Sequence, residues 1–142
     1  MAQVSRRPLS REAEEKIYTS FYKAIGLIGE DEARLFVGDL LTRTERIMLP
    51  KRLAIAILLT RGENYNSIRD ALKVTQTTIA SVSKTLELSE GLRKAIKKLE
   101  KSETWRSWWQ DVESLLYRLS SPGKVFIDEE AISRRRKKLR KL

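Results

Sequence analysis

The sequence predicts an all-α protein, and three observations lead to this fold class. Apolar residues recur at spacings of three and four along most of the 142-residue chain, which is the period of an amphipathic helix. Glycine and proline, which interrupt helices, number only six and three. No internal repeat or low-complexity segment is visible, so we expect one domain with appendages.

The first two helices are expected before residue 42. The first runs from residue 10 to about residue 29, and its apolar stripe consists of Ile17, Phe21, Ala24, Ile25 and Ile28. Gly29 supplies a stop, and Asp31 is placed to cap a short second helix. We therefore assign residues 1–30 to an N-terminal helical arm.

The third helix has a clear start and a clear end. Thr42 and Glu45 form a capping-box pattern, in which the hydroxyl accepts from the amide three residues on and the carboxylate accepts from the cap amide. The apolar run over residues 53–59 should be the most buried part of this helix. Pro50 lies inside it and removes one backbone hydrogen bond, so a kink is expected. Gly62 ends it.

Residues 64–86 are typical of two short helices joined by a tight turn. The apolar positions in this stretch are Ile68, Leu72, Val74, Ile79 and Val82. This spacing lets two helices cross at a steep angle over a small core, and it leaves the second helix free to enter a DNA major groove. An ordinary helical hairpin within an all-α core would give the same spacing.

After this pair, one long C-terminal helix is expected over residues 89–120, with a phase slip in its apolar stripe near Ser102. Trp105 and Trp108 continue the stripe, so we expect them to pack in a core or a dimer interface. Trp109 lies beside the stripe and is the one tryptophan left open as a surface contact. A base-stacking role for the three rings is the alternative.

Positive charge is concentrated at the C-terminal end. The chain has a net charge of +10 and a pI near 10.0, and residues 121–142 hold eight basic against three acidic residues. Such a balance suits a polyanionic partner. We expect this basic tail to bind DNA phosphates without sequence preference, through Arg134, Arg135, Arg136, Lys137 and Lys138. A membrane-surface segment and a disordered solubilising end are the alternatives.

Composition excludes several function classes. Cysteine and histidine are absent, which excludes disulfides, cysteine nucleophiles and an imidazole base or metal ligand. Carboxylates such as Glu63 and Asp70 form no catalytic motif, and no glycine-rich phosphate loop occurs, so we expect no enzyme, no cofactor and no metal. No apolar run reaches the roughly 20 residues of a membrane span, and no signal peptide is visible. We therefore expect a cytoplasmic protein that binds no membrane.

Two stretches carry a family resemblance: Leu-Leu-Thr-Arg-Thr-Glu-Arg at residues 40–46, and Lys-Arg-Leu-Ala-Ile-Ala-Ile-Leu-Leu-Thr-Arg-Gly-Glu at residues 51–63. With the helix-turn-helix pattern that follows at once, the chain resembles the tryptophan-repressor-like family over about residues 35–88. The resemblance implies a repressor-like, DNA-binding transcription regulator that forms a homodimer through the helices before and after the reading pair. It makes residues 31–88 the helix-turn-helix core and residues 1–30 a dimerisation arm.

The same resemblance argues against tryptophan as the effector. In the tryptophan repressor the indole lies between two arginines, a glycine leaves it room and a threonine contacts it. Thr42 and Arg52 match two of these positions, whereas Ser81 and Val82 replace the second arginine and the glycine. These changes remove a guanidinium that stacks on the ring and add bulk where the ring would lie. The effector ligand, if there is one, stays unknown.

The second helix of the pair, over about residues 75–86 with Thr75 as its cap, is expected to read the bases. Gln76 can bond adenine bidentately, Thr77 can contact a thymine methyl group, and Lys84 can reach a phosphate or a guanine. The candidate DNA-binding residues on this helix are Thr75, Gln76, Thr77, Thr78, Ala80, Ser81 and Lys84. The alternative is that they form a solvated helix face.

These expectations combine into one function, which is sequence-specific binding of double-stranded DNA by a homodimer in the cytoplasm, at the nucleoid. Two other functions fit the same features. A nucleoid-associated protein would pack DNA through its basic residues without a sequence preference. An adaptor would bind another protein through the tryptophan-rich C-terminal helix.

Overall fold

The fold is all-α, as predicted. The computed structural model describes residues 7–119, and within that range it contains seven helices and no strand. Their bounds are α1 (Arg11–Leu27), α2 (Glu30–Leu40), α3 (Arg43–Thr60), α4 (Tyr65–Leu72), α5 (Gln76–Leu88), α6 (Glu90–Glu100) and α7 (Glu103–Leu119). The basic tail at residues 121–142 lies outside the described residues.

The chain divides into two compact units, Met1–Met48 and Leu49–Leu142. The boundary between them falls within α3, beside Pro50, and the helix continues through that proline. The predicted roles of an arm, a core and a tail stay predictions.

The first unit contains α1 and α2, and neither helix buries a single residue. Ser10 caps α1, since its hydroxyl accepts from the amide of Ala13 at 3.2 Å. The expected cap of α2 at Asp31 was wrong, because Gly29 is the cap residue and its amide donates to the Glu32 carboxylate at 3.4 Å. Asp31 lies instead in the first turn of α2, where a negative charge interacts favourably with the helix dipole.

The predicted capping box at the start of α3 is confirmed. The Thr42 amide donates to the Glu45 carboxylate at 2.7 Å, and the Glu45 amide donates to the Thr42 hydroxyl at 3.3 Å. The hydrogen bond from the Thr42 amide holds the pKa of Glu45 below its usual value, because it stabilises the charged carboxylate. This box fixes where α3 begins.

The core of the second unit is built around the apolar end of α3. The prediction that residues 53–59 hold the most buried stretch is confirmed at residues 55–58. Gly62, with φ of 84°, ends the helix as predicted, and the Glu63 amide after it donates to the Leu58 carbonyl at 3.0 Å. The buried apolar residues of the core are Ile55, Ala56, Ile57, Leu58, Ile68, Leu72, Ile79, Val82, Ile96 and Trp109.

Two helices, α6 and α7, occupy the stretch for which one long helix was expected, so that prediction was wrong. The break lies at Lys101 and Ser102, where the apolar stripe slips in phase. A single straight helix could not turn both halves of such a stripe toward one core. The Ser102 hydroxyl accepts from the amide of Trp105 at 3.3 Å and so caps the new helix.

The interpretation of Trp109 from the sequence was also wrong, while a place for Trp108 in a dimer interface stays a prediction. Trp109, which was left open as a surface contact, is only 4% exposed and belongs to the core. Trp108, which was placed in a core or interface, is 56% exposed. Trp108 and Trp109 both lie about one helical turn after Trp105, so the spacing alone does not decide which of them faces the core. Trp105 is half-buried and stacks on Trp109 with ring centroids 6.0 Å apart.

A buried polar network connects the end of α3 to α6 and α7. The Arg61 guanidinium donates to Glu100 at 2.8 Å and to Glu113 at 2.9 Å. The Tyr117 hydroxyl donates to Glu63 at 3.0 Å and lies 3.4 Å from the second oxygen of Glu113. Arg61 and Glu113 are both buried. The network therefore holds charge in the interior of the second unit, where each charge depends on its partner.

The Tyr117 phenol should make stability depend on alkaline pH. Burial and the nearby carboxylates of Glu113 and Glu63 raise the pKa of Tyr117 well above its usual value. An unfolded tyrosine loses its proton near pH 10, so above about that pH the unfolded state binds fewer protons and is stabilised relative to the native state. The stabilisation is complete below that pH and is lost as the pH rises.

We therefore expect Tyr117→Phe to weaken the fall in unfolding free energy between about pH 9 and pH 11. Urea titrations at several pH values in this range measure the effect, with the exposed Tyr22→Phe as control. The same slope in Tyr117→Phe and in the unmodified protein would contradict the prediction.

Candidate nucleic-acid interface

Helices α4 and α5 form the helix-turn-helix pair that the sequence predicted. Asn64 caps α4, since its side-chain oxygen accepts from the Ser67 amide at 2.8 Å. Ile68 and Leu72 of α4 and Ile79 of α5 are buried against each other in the core. The two helices therefore present only their opposite faces to solvent.

The turn between them passes through a left-handed residue. Lys73 has φ of 55° and ψ of 51°, a conformation that glycine or asparagine adopts more readily. Lysine is not a favourable residue for this conformation, yet the turn forms. The packing of the helices on either side of Lys73 holds this residue in the left-handed conformation.

The first turn of α5 is fixed by threonines. The Thr75 hydroxyl accepts from the Thr78 amide at 3.2 Å, which makes Thr75 the cap residue as predicted. The Thr75 and Thr78 hydroxyls also lie 3.0 Å apart. Thr75 is exposed and Thr78 is half-buried. Their hydroxyls shape the helix start and leave little of Thr78 for an outside contact.

The other predicted reading residues share one outward face of α5. Positions 76, 77, 80, 81 and 84 recur at the helical period. Ile79 and Val82 on the opposite face are buried. The residues of the outward face are all exposed: Gln76, Thr77, Ala80, Ser81 and Lys84.

Sequence analysis missed one residue of this surface. Asn66, an exposed residue in the first turn of α4, accepts a hydrogen bond from the Gln76 amide nitrogen at 3.1 Å. No sequence signal pairs two polar residues ten positions apart, because only the crossing angle of α4 and α5 brings them together. The bond fixes the orientation of the Gln76 side-chain amide.

A groove of about 230 Å³ lies behind the reading helix, within the second unit. It is lined by Leu49, Arg52, Leu53, Val82, Thr85 and Leu92. Arg52 supplies its one guanidinium, and Val82, which is 2% exposed, adds a branched side chain to its wall. This lining offers a flat aromatic ring one guanidinium, and the expectation that tryptophan is not the effector stays a prediction.

The family comparison agrees with this architecture. A family model described as Trp repressor protein matches residues 18–105, well over half of the 142 residues. The chain belongs to the Trp repressor family. The match begins within α1 and ends in the first turn of α7. It therefore extends the family resemblance beyond residues 35–88 at both ends. No curated protein and no solved structure matches the chain.

Membership in the Trp repressor family indicates the general function of the chain. It is a family of helix-turn-helix, DNA-binding transcription regulators, and not of enzymes. Within residues 7–119, no helix combines the length and the apolar character needed to cross a bilayer.

Proposed function

We propose that the chain is a sequence-specific regulator of transcription that places α5 in the major groove of double-stranded DNA. The observation that supports this most directly is the face of α5 that carries Gln76, Thr77, Ala80, Ser81 and Lys84. It is polar and exposed, while Ile79 and Val82 on the other face anchor the helix in the core. A helix held in this way can present its N-terminal residues to base edges.

Each residue of this face has a role in the proposal. Gln76 bonds an adenine edge, Thr77 contacts a thymine methyl group, and Ser81 bonds a base or a phosphate. Lys84 neutralises a phosphate or bonds a guanine, and Ala80 leaves room for the groove wall. Thr75 and Thr78 set the start of the helix, whose first amides can donate hydrogen bonds to a phosphate. Residues 134–138 of the basic tail, outside the described residues, would add contacts to phosphates.

We further propose that the active species is a homodimer assembled through the first unit. The apolar stripe of α1 is uncovered in the chain, with Ile17 54% and Ile25 52% exposed. Phe21 between them is also exposed. An apolar stripe of this length on a folded helix is typical of an interface with another helix. A second copy of the chain supplies the same stripe, in agreement with the dimers typical of the family.

We expect Ile25→Glu to weaken this dimer by about 100-fold or more, because a carboxylate would be buried without a partner. Sedimentation equilibrium measures the dissociation constant. Thr19→Glu is the matched control, since it places the same charge on the opposite face of α1. An unmodified chain that stays monomeric at high micromolar concentration would contradict the proposal.

We expect Gln76→Ala to reduce the preference for the target over a scrambled duplex by about 1–3 kcal/mol, since a bidentate base contact is lost. The target is first recovered by selection from random duplexes with the full-length chain. Both duplexes are then titrated at two salt concentrations, with and without tryptophan. Gln110→Ala on α7 is the matched control.

A half-palindromic target that beats its scrambled control at both salt concentrations would support a dimer that reads sequence. Equal losses on both duplexes in Gln76→Ala would overturn the assignment of Gln76. Tight binding with no recovered target, lost at high salt, would instead indicate a DNA-packing protein. A change in target affinity on adding tryptophan would overturn the expectation about the effector.

A further inference from the structure

Helix α6 carries a cationic face that neither the sequence analysis nor the family assigns a role. Arg93 and Lys97 lie one helical turn apart, with Lys101 one turn further on, and Lys98 lies beside that row. All four side chains are exposed. We propose that these four residues form a second DNA-contacting surface, which binds backbone phosphates beside the groove read by α5. The proposal rests on the function proposed above.

The acidic residues of α6 leave this face unneutralised. Glu100 points inward, where it accepts from Arg61 at 2.8 Å, and its side chain is only 15% exposed. Glu90 pairs with Lys94 at 2.8 Å. Within residues 7–119, the four proposed contact residues have no acidic partner in an ion pair. Their charges therefore add to a positive potential that attracts a polyanion.

The apolar face of α6 argues against an anionic membrane as the partner of the cationic face. Ile96 is 1% exposed, and Leu92 and Leu99 are half-buried, so this apolar face is committed to the core. A basic amphipathic helix that binds a membrane must bury its apolar face in the acyl region. Only the charged face of α6 is available to a partner, and this face suits phosphate groups that are exposed to water.

The position of α6 favours DNA among phosphate-bearing partners. Ser89 is both the last cap of α5 and the first cap of α6, so a single residue joins the two helices. At the helical rise per residue the path from Lys84 to Lys101 is about 26 Å, and the extended Ser89 lengthens it by a few ångströms. The phosphates that flank a major groove about 12 Å wide are therefore within reach of α6 while α5 lies in that groove. Contacts to phosphate carry no base information, so they should strengthen binding to every sequence alike.

The test compares two variants of the full-length chain that lose the same charge. The first is Arg93→Gln with Lys97→Gln, Lys98→Gln and Lys101→Gln. The control replaces four exposed cations of the first unit by glutamine: Lys23, Arg34, Arg43 and Arg46. Glutamine is a good helix former, so both variants should fold, which circular dichroism checks.

We expect the α6 variant to bind the selected duplex and the scrambled duplex about tenfold or more weakly, by the same factor on both. The slope of log K against log salt should fall by about 3–4, or roughly 0.9 for each lost phosphate contact. The control should keep most of its affinity. Replacing the three lysines by arginine should preserve both affinity and slope, because the charge is kept.

Four outcomes separate this inference from the function on which it rests. Equal behaviour of the α6 variant and the control would overturn the inference, while a preferred duplex would keep the proposed function. A loss of affinity in the α6 variant without any preferred duplex would keep the phosphate surface and overturn sequence reading. No DNA binding by the unmodified chain would overturn both. Loss of binding to phosphatidylserine vesicles, with DNA binding unchanged, would overturn the inference in favour of a membrane surface.

Discussion

Replacing Arg61 by methionine is expected to lower the free energy of unfolding by about 3–5 kcal/mol. Arg61 is buried and bonds Glu100 at 2.8 Å and Glu113 at 2.9 Å. Methionine fills much of the same space but leaves two carboxylates in the interior without their cation. The charge left behind, rather than the lost attraction, is the main source of the destabilisation. Urea unfolding followed by circular dichroism measures it.

Arg106→Met is the matched control for this change. Arg106 pairs with Glu103 at 3.6 Å, and the Glu103 side chain is 92% exposed. An ion pair at the surface contributes about 1 kcal/mol or less. Adding Glu100→Gln and Glu113→Gln to Arg61→Met should recover part of the lost stability, because no buried charge then remains. Similar losses for the two arginine variants would show that the Arg61 network is not stabilising.

Two neighbouring tryptophans should respond very differently to alanine. Trp109→Ala is expected to lower the free energy of unfolding by about 3–5 kcal/mol, because the ring is buried and its removal leaves a cavity. Within the described residues its ring nitrogen has no hydrogen-bond partner, so packing alone accounts for its contribution. Trp108→Ala should change stability by about 1 kcal/mol or less, since more than half of that side chain is in water. Thermal or urea unfolding of the two single variants gives the comparison.

This pair of variants also tests the rotation of α7. The sequence stripe places Trp108 inside and Trp109 outside, and the structure places them the other way round. A larger loss for Trp108→Ala than for Trp109→Ala would therefore contradict the structure and restore the interpretation from the sequence.

Local patterns predicted this fold well. The capping box of Thr42 and Glu45, the stop at Gly62 and the cap at Thr75 each involve residues within a few positions of one another. Such signals are complete in the sequence, because the atoms that interact belong to one turn. The all-α class and the helix-turn-helix pair follow from the same short-range periodicity.

Long-range geometry accounts for what the sequence could not predict. Arg61 is separated from Glu113 by 52 positions, and nothing in either segment indicates the other. The spacing within α7 does not decide which tryptophan faces the core, although the phase slip at Ser102 is visible in the sequence. The cationic face of α6 was hidden for a similar reason, since only the inward turn of Glu100 toward Arg61 leaves its charge uncompensated.

The hydrogen bond between Asn66 and Gln76 has a consequence for the affinity of a complex with DNA. A glutamine side chain that is free in solvent loses rotamer entropy when it binds a base. The side chain of Gln76 is already restrained, because its amide nitrogen donates to the Asn66 side-chain oxygen at 3.1 Å. Its second amide hydrogen and its carbonyl oxygen remain to face an adenine edge. In the proposed complex, Asn66 therefore lowers the entropic cost of binding the operator without contacting a base.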